Sequence, residues 1–358
     1  MRSRMMVSAA GFAGVVSILM CWSLPLSGQT SARPAPAAKP VAATAAPAKK
    51  FVVRRTENGQ PDLQGVWAYG TATPLERPSA LGAKAEFTAD DEEAFAAAAK
   101  QAASRNFDDR SGGAQADVSR AYNDFWWDPG KTLAGKQTSL VIDPSDGRIP
   151  PILPEATKRN QARAAARPQR TPGIDADNPE DRSLWERCLT RALPTLPGPY
   201  NNNIQIVQSA DHVVIVTEMI HEARIIPTDG RPHGKVREWR GDSIGRWEGD
   251  TLVVDTINFT EKTSFRGSSE NLHLVERYSR RDANTVLYQV TVSDPTTWAR
   301  PFTIQLPMSK NDEGMFEYAC HEGNHGLEGI LKGSRLLEKE LPAGGAPRRP
   351  ATATPATR

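Results

Sequence analysis

The sequence has almost no net charge. Its 358 residues include 44 Lys and Arg against 42 Asp and Glu, which leaves a formal charge of +2. Arg2 and Arg4 supply this excess, because the first 32 residues contain no acidic side chain. A neutral chain lacks the net field of a general nucleic-acid or anionic-membrane binder, although a local basic patch is compatible with it. We therefore expect no nucleic-acid partner and no membrane contact beyond an export signal.

Cysteine is also scarce, with three in the chain. The first, Cys21, lies in an apolar run from Met5 to about Leu26 that follows Arg2 and Arg4 and ends in small and polar residues. This pattern is typical of a secretory signal peptide, here residues 1–32, and predicts a periplasmic or secreted protein. An uncleaved anchor helix is the alternative, because the apolar run is long for a signal.

Removal of the signal leaves Cys188 and Cys320. An even pair in an oxidising compartment predicts a disulfide, and two separate thiols are the alternative.

The remaining chain divides by composition. Residues 33–50 are rich in Pro and Ala and predict a disordered linker, and residues 341–358 predict a disordered tail. Residues 51–340 form a single predicted domain. Its first half has predicted helices over 88–104, where Thr88 can cap, over 155–167, and after Asn178-Pro179.

The second half of this domain predicts strands and no repeated βαβ units. Their closely spaced, alternating patterns lie near 204–208, 213–220, 223–227, 236–240, 251–257, 272–280, 285–292, 302–306 and 315–320. Such spacing predicts a mainly β fold in which an antiparallel meander forms a lipocalin-like barrel or a curved sandwich.

Three short matches to known motifs occur. Gly241–Gly245 (GDSIG) fits the nucleophile elbow of serine hydrolases, but a turn and a strand follow Ser243 where that device needs a helix. His321–His325 (HEGNH) fits a zinc-protease motif, but three nearby glycines disfavour the helix that it requires. Gly65-Val66-Trp67 resembles the G-x-W of the first lipocalin strand, although Trp67 also suits an ordinary core strand. A metal site using His321 in another way is a weaker alternative, and we expect no cofactor.

Candidate site residues are histidines of the β-rich half, whose side chains can exchange protons near neutral pH. If His221 and His273 lie on the inner face of the barrel and His321 lies near the predicted disulfide, the three can act as proton carriers in one pocket. Glu218 and Glu322 would orient them. The predicted substrate contacts are Arg224 for an anionic group, Tyr318 for its phenol, and Trp67. Each histidine could instead be an ordinary core or rim residue.

Several longer segments carry a family resemblance. They include PDLQGVW, EMIHEARIIPTDGRPH, GDSIGRWEGDTLVVDTINF, NLHLVERYSRRD and YACHEGN. Together they resemble a large and mostly uncharacterised group of exported bacterial proteins. The resemblance covers roughly residues 60–335 and implies export and a shared β-rich fold, but no activity. The group's last segment ends CHEGNY, whereas this chain has His325 at that place, so the zinc-protease match is interpreted as accidental.

Two classes of function fit these residues. The first is an exported enzyme for a small organic molecule, with cofactor-free acid/base chemistry such as elimination, hydration, isomerisation or hydrolysis in the barrel pocket. The second is a non-catalytic periplasmic carrier of an apolar or glycosidic ligand. A structural envelope protein is a further alternative. The sequence gives no indication of the substrate or of the oligomeric state.

Overall fold

The computed structural model describes residues 51–103, 130, 132–165 and 176–340. Contacts divide the chain into residues 1–49 and residues 50–358, and every described residue belongs to the second unit. The predicted signal peptide, the predicted linker and the predicted tail all lie outside the described residues. None of the described helices is long and apolar enough to span a membrane.

The described residues include three α-helices and a large sheet. The helices are α1 (Ala89–Ala103), α2 (Pro154–Ala165) and α3 (His325–Glu340). The start of α1 is fixed as predicted, because the Thr88 amide donates to Asp91 Oδ2 over 2.7 Å while the Asp91 amide donates to Thr88 Oγ1 over 3.3 Å. After Asn178, a single 3-10 turn (Pro179–Asp181) stands where we expected a longer helix.

The sheet is antiparallel and has ten strands. They are β1 (Gly65–Ala68), β2 (Val141–Asp143), β3 (Asn203–Gln208), β4 (His212–Thr217), β5 (Ala223–Pro227), β6 (Asp242–Glu248), β7 (Thr251–Ile257), β8 (His273–Asp282), β9 (Thr285–Ser293) and β10 (Phe302–Lys310). The order is β5-β4-β3-β1-β10-β9-β8-β7-β6, with β2 attached to β10. This meander curves into a nearly closed, lipocalin-like barrel, which confirms the predicted fold class.

The side chains that point inward from the strands fill the inside of the barrel. On β9, and on β8 as far as Tyr278, every second residue is buried, as two-residue periodicity requires of strands with one covered face. The inward apolar side chains are fully or almost fully buried, including Ile204, Ile206, Ile215, Leu252, Leu274, Tyr278, Tyr288, Ile304 and Leu306. The interior of the barrel is therefore packed with side chains.

Trp67, on β1, is one of the side chains packed in this core. Its side chain is fully buried, and its indole Nε1–H donates to the carbonyl oxygen of Leu63 over 2.9 Å. The Arg280 guanidinium carbon lies 4.7 Å from the centre of the indole ring, within the range of a cation–π contact. Trp67 is thus a core residue of the barrel wall, and its predicted role as a substrate contact is wrong.

The wall has one seam, between β5 and β6, where no backbone ladder is formed. The two strands nevertheless approach closely, since a Cβ on Gly245 would lie 3.0 Å from methyl groups of Ile226 and Thr228. The Arg224 side chain connects the two sides of this seam, because from β5 it donates to Ser243 on β6 and to Thr256 on β7.

Several predicted elements differ from the structure. Residues 236–240 and 315–320 form no strand, and β6 was not predicted because Asp242 and Gly245 weaken its apolar pattern. The helix α3 was unexpected because Gly326, Gly329 and Gly333 lie within it. Asn324 Oδ1 accepts from the Leu327 amide at its start, and Lys332 pairs with Glu328 one turn earlier, which offsets part of that cost.

Cys188 and Cys320 form the predicted disulfide. Their Cα atoms are 5.8 Å apart and the bond spans 132 residues. It joins the segment after the 3-10 turn to the segment that leads into α3. The pairing fits an oxidising compartment.

Candidate functional site

A polar network lies within the barrel. Glu276, which is fully buried on β8, accepts hydrogen bonds at Oε1 from the hydroxyls of Tyr278 (3.1 Å) and Tyr288 (3.0 Å). Its Oε2 pairs with Arg224 Nη2 over 2.5 Å. Burial raises the pKa of both tyrosines well above the ordinary value, and the charge of Glu276 adds to this effect. Both phenols therefore stay protonated and serve as donors.

Arg224 links this network to the seam. From β5 its Nε donates to Ser243 Oγ on β6 over 2.9 Å, and its Nη2 donates to Thr256 Oγ1 on β7 over 2.7 Å. The anionic group that Arg224 holds is thus Glu276 of the same chain. Ser243 lies on a strand and is followed by strand, so its surroundings are not those of a nucleophile elbow.

The three histidines predicted to share a pocket inside the barrel do not meet there. His273 lies on β8 with the outward side chains, while its neighbours Leu274 and Glu276 face inward and are fully buried. His221 and His321 are exposed. The prediction that these three histidines share an inner pocket is therefore wrong, because the inner face is occupied by apolar side chains and by the Arg224–Glu276 pair.

His221 and the residues near the disulfide lie on the surface. His221 ends a 3-10 turn after β4 with φ of 52°, and its ring contacts the backbone amide of Tyr318. His321 and Glu322 are exposed in a turn, and His325 begins α3. The two histidines of the HEGNH segment therefore do not share a helix, which removes the geometry of a zinc protease.

Glu218 and Tyr318 have structural partners. Glu218 is buried, and its carboxylate accepts from Asn203 Nδ2 (2.7 Å) and from the Phe316 amide (2.9 Å). It thereby attaches the segment after β10 to the ends of β3 and β4, and within the described part of the chain its carboxylate forms no hydrogen bond to a histidine. The Tyr318 ring stacks on Tyr200 with 6.3 Å between centroids.

A different set of acid/base groups meets on the outer face of β6, β7 and β8. We call it the His–Asp cluster, and its members are His233, Asp242, Asp255 and His273. Asp255 lies on β7 between the two histidines: Oδ1 is 3.0 Å from His233 Nε2, and Oδ2 is 3.0 Å from His273 Nε2. The other ring nitrogen of His233, Nδ1, is 2.9 Å from Asp242 Oδ2.

Backbone contacts hold the cluster in place. Strand register sets Asp242, at the start of β6, near the end of β7, and sets Asp255 beside Val275 of β8. The Gly234 amide donates to Asp242 Oδ2 over 2.7 Å, and Asn258 Nδ2 donates to the Gly234 carbonyl over 3.0 Å. The loop that carries His233 is thus tied to β6 and to the end of β7.

Electrostatics within the cluster favour a charged pair. The hydrogen bond to Asp255 raises the pKa of His273 above its ordinary value, and partial burial opposes this shift. The same hydrogen bond lowers the pKa of Asp255. Because Nε2–H of His273 is directed at Asp255, Nδ1 is the ring nitrogen that can exchange a proton with a bound molecule.

His273 also borders a wide groove of about 880 Å³, which we call the outer groove. Polar groups in its wall include Asn271, Glu270, Arg237 and Arg300, and apolar surface comes from Leu153, Leu272, Trp298 and Pro301. A volume of this size accommodates a small organic ligand.

Across 51–103, 130, 132–165 and 176–340, no group of three or more His, Cys, Asp or Glu side chains is placed to hold a metal ion.

Comparisons with known proteins give little guidance. No protein-family model matches the chain, and no curated protein matches it. Among solved structures, it is similar to a secretary abundant heat soluble (SAHS) protein from Ramazzottius varieornatus. The two are 11% identical over 30% of this chain and 70% of that chain, with a TM-score of 0.21. A similarity this distant does not indicate a function.

Sequence reasoning found His273 but missed the other three members of the cluster. His233 follows the DGRP turn in a segment without periodicity, so nothing in the pattern placed it near β7. Asp255 did carry a signal, because it is the one charged residue within the apolar strand Thr251–Ile257. A carboxylate in such a strand must find a partner or face solvent.

Proposed function

We propose that the protein is an exported enzyme, periplasmic or secreted, that carries out acid/base chemistry on a small organic molecule bound in the outer groove. His273 takes or gives the proton through Nδ1, and Asp255 orients its ring and stabilises the imidazolium. Elimination, hydration, isomerisation and hydrolysis all need such a proton carrier, and the protein's own groups suffice for it. The observation that carries the proposal is the His273–Asp255 pair at the edge of a ligand-sized groove.

His233 and Asp242 extend this pair. Each ring nitrogen of His233 lies within hydrogen-bond distance of a carboxylate, Nδ1 of Asp242 and Nε2 of Asp255, so His233 fixes the Asp255 oxygen that does not contact His273. We assign His233 a positioning role, because it does not border the outer groove.

The test is a turnover screen with purified mature protein and a complex metabolite extract. We expect His273→Gln to reduce the consumption of any substrate by a factor of about 10²–10⁴, the usual contribution of a positioned acid or base. Asp255→Asn should reduce it by less. The matched control is His212→Gln, since His212 forms a similar pair with Asp211, at 2.9 Å, on a surface turn. Substrate turnover that survives His273→Gln would contradict the proposal.

A carrier is the second candidate, favoured by the apolar side chains that line half of the outer groove. A carrier would enrich a ligand from the extract without changing it, and His273→Gln would leave the bound amount unchanged.

A further inference from the structure

A second cavity lies at the end of the barrel where β1 and β4 both finish. This end cavity has a volume of about 330 Å³, and the described residues that line it are all different from those of the outer groove. Tyr69, directly after β1, lines one side with Thr217 and Met219 at the end of β4. The rest of the wall comes from residues 191–197 and 264–266.

The first of these two wall segments is fixed at both ends. The Ala192 amide donates to Thr190 Oγ1 over 3.0 Å, and the Gly198 amide donates to Asn202 Oδ1 over 2.7 Å. Ala192 and, in the other segment, Arg266 have left-handed backbones, with φ of 62° and 50°. A residue with a Cβ disfavours this conformation, which persists where the surrounding structure requires a particular backbone course. The wall of the end cavity therefore has a defined shape.

Two buried hydroxyl groups in this wall lack a hydrogen bond. Tyr69 is 3% exposed and Thr195 is 7% exposed, and both line the cavity. Among the described residues neither hydroxyl has a hydrogen-bond partner, and neither oxygen is enclosed by them. Burial raises the pKa of Tyr69 to about 12, so its phenol keeps its proton and can donate. A buried donor is costly until an acceptor completes it, and a ligand oxygen in the end cavity would be that acceptor.

The charged residues of the wall are positive. Arg191 and Arg266 line the end cavity, and no Asp or Glu does so among the described residues. Arg266 is exposed and stands at the rim. Arg191 packs against Gly198 and over the Trp185 ring, and its Nη1 is enclosed, so it contributes a positive field instead of a contact. Such a wall favours an anionic ligand over a neutral one.

Charges behind the wall leave this preference in place. Arg191 and Arg240 favour a negative charge at the Tyr69 hydroxyl, and Glu218 opposes it. Glu218 already accepts hydrogen bonds from Asn203 and from the backbone of the segment after β10. One carboxylate remains near the cavity, so a ligand with a single negative charge is better matched than a dianion.

The remaining wall suits a short hydrocarbon chain. Its apolar surface comes mainly from Leu193, Leu196, Met219 and Phe265. A volume of about 330 Å³ is near the lower limit of ligand cavities, so it fits a small molecule.

We propose that the end cavity binds a small monocarboxylic acid with a short hydrocarbon chain. The carboxylate accepts from the Tyr69 and Thr195 hydroxyls, and the chain packs against Met219 and its apolar neighbours. This binding site is separate from the proposed acid/base site and does not depend on it.

The test uses hexanoate as the probe and isothermal titration calorimetry as the readout. Hexanamide has the same chain without the charge, and acetate has the charge without the chain. We expect saturable hexanoate binding that is tighter than that of either comparison ligand by about tenfold or more, because a hydrogen bond to a charged acceptor and the buried chain both contribute.

Tyr69→Phe removes the hydroxyl and keeps the ring, and it should weaken hexanoate binding by about tenfold or more. Tyr318→Phe is the matched control and should bind as the unchanged protein does, because Tyr318 stacks on Tyr200 and does not line the end cavity. No hexanoate binding, equal binding of hexanamide or acetate, or unchanged binding in Tyr69→Phe would each overturn the proposal.

If Tyr69→Phe does not fold, NMR on the unchanged protein decides. Hexanoate must then shift the methyl signals of Met219 and Leu196, and shifts confined to other regions would contradict the site. His273→Gln should leave hexanoate binding intact even where it abolishes turnover, so the two proposals fail separately.

Discussion

At the scale of single residues, the pairing of His273 with Asp255 determines how the proposed site responds to pH. The pKa of His273 is raised by its partner, so the charged pair stabilises the folded protein at pH values below the ordinary histidine pKa. That contribution is lost as the pH rises through the raised pKa of the folded state. Asp255 behaves oppositely, since its contribution is lost as the pH falls through its lowered pKa.

This pairing can be checked without a substrate. Replacing Asp255 with Asn removes the charge that raises the His273 pKa, so we expect this pKa to fall. NMR titration of the imidazole signals measures it, and Asp211→Asn at the separate surface pair is the control that should leave His273 unchanged. An identical His273 titration in Asp255→Asn would mean that the hydrogen bond does not govern the charge of the ring.

Residue chemistry also explains why the site was only partly predictable. Alternation on β8 correctly put His273 on one face with Val275 and Arg277. It could not tell which face is inward, because Glu276 gives the other face a charged residue as well. Glu276 is tolerated inside only because Arg224, Tyr278 and Tyr288 satisfy it, and those contacts come from distant parts of the chain.

At the scale of elements, the turns at the two ends of β6 set its position. Gly241 before it and Gly249 after it both have positive φ, 67° and 60°. A Cβ on Gly241 would lie 2.5 Å from the carbonyl oxygen of Ile257, whereas a Cβ on Gly249 would meet nothing within 4 Å. Gly241 is therefore needed both for the turn and for the close approach of its backbone to the Ile257 carbonyl.

These two glycines give a matched experiment. We expect Gly249→Ala to lower the free energy of unfolding by about 1–2 kcal/mol, the cost of a left-handed backbone for a residue with a Cβ. Gly241→Ala should cost about 1–3 kcal/mol more because of the added overlap. Denaturant unfolding measures both. Equal losses would show that the backbone at Gly241 relaxes without cost.

Most strands of the second half were predictable because their alternation is regular and long. The strand predictions were wrong at 236–240 and at β6, where strand formation depends on a pairing partner that the sequence pattern does not identify. Val236 and Trp239 have strand-forming side chains, but they are exposed in a turn-rich segment. β6 has a weak pattern of its own and forms because a short turn folds it back onto β7.

At the scale of the whole molecule, the disulfide restrains the chain outside the barrel wall. It links Cys188, which precedes most of the strands, to Cys320, which follows the last, across 132 residues. The pairing was predictable from the count of cysteines, since removal of the predicted signal would leave two. The packed interior was not, because pattern alone does not distinguish a filled barrel from one with a ligand cavity.

We expect the Cys188→Ser, Cys320→Ser double variant to lose about 4–5 kcal/mol of unfolding free energy in the chain-entropy description of so long a loop. Denaturant unfolding of this variant, beside the unchanged protein under oxidising and reducing conditions, provides the measurement. An unchanged midpoint, or two free thiols in the mapped oxidised protein, would contradict the bridge.

The place of β1 has a consequence for the order of assembly. In the wall it stands between β3 and β10, with Trp67 opposite both Ile204 and Lys310. Among the described strands it is the first to leave the ribosome, yet one of its neighbours, β10, is the last. The hairpins from β6 to β10 can form from local contacts, whereas one edge of β1 must wait for the far end of the chain. Until β10 is in place that edge has no partner strand, so a truncation that removes β10 leaves the barrel open between β1 and β9.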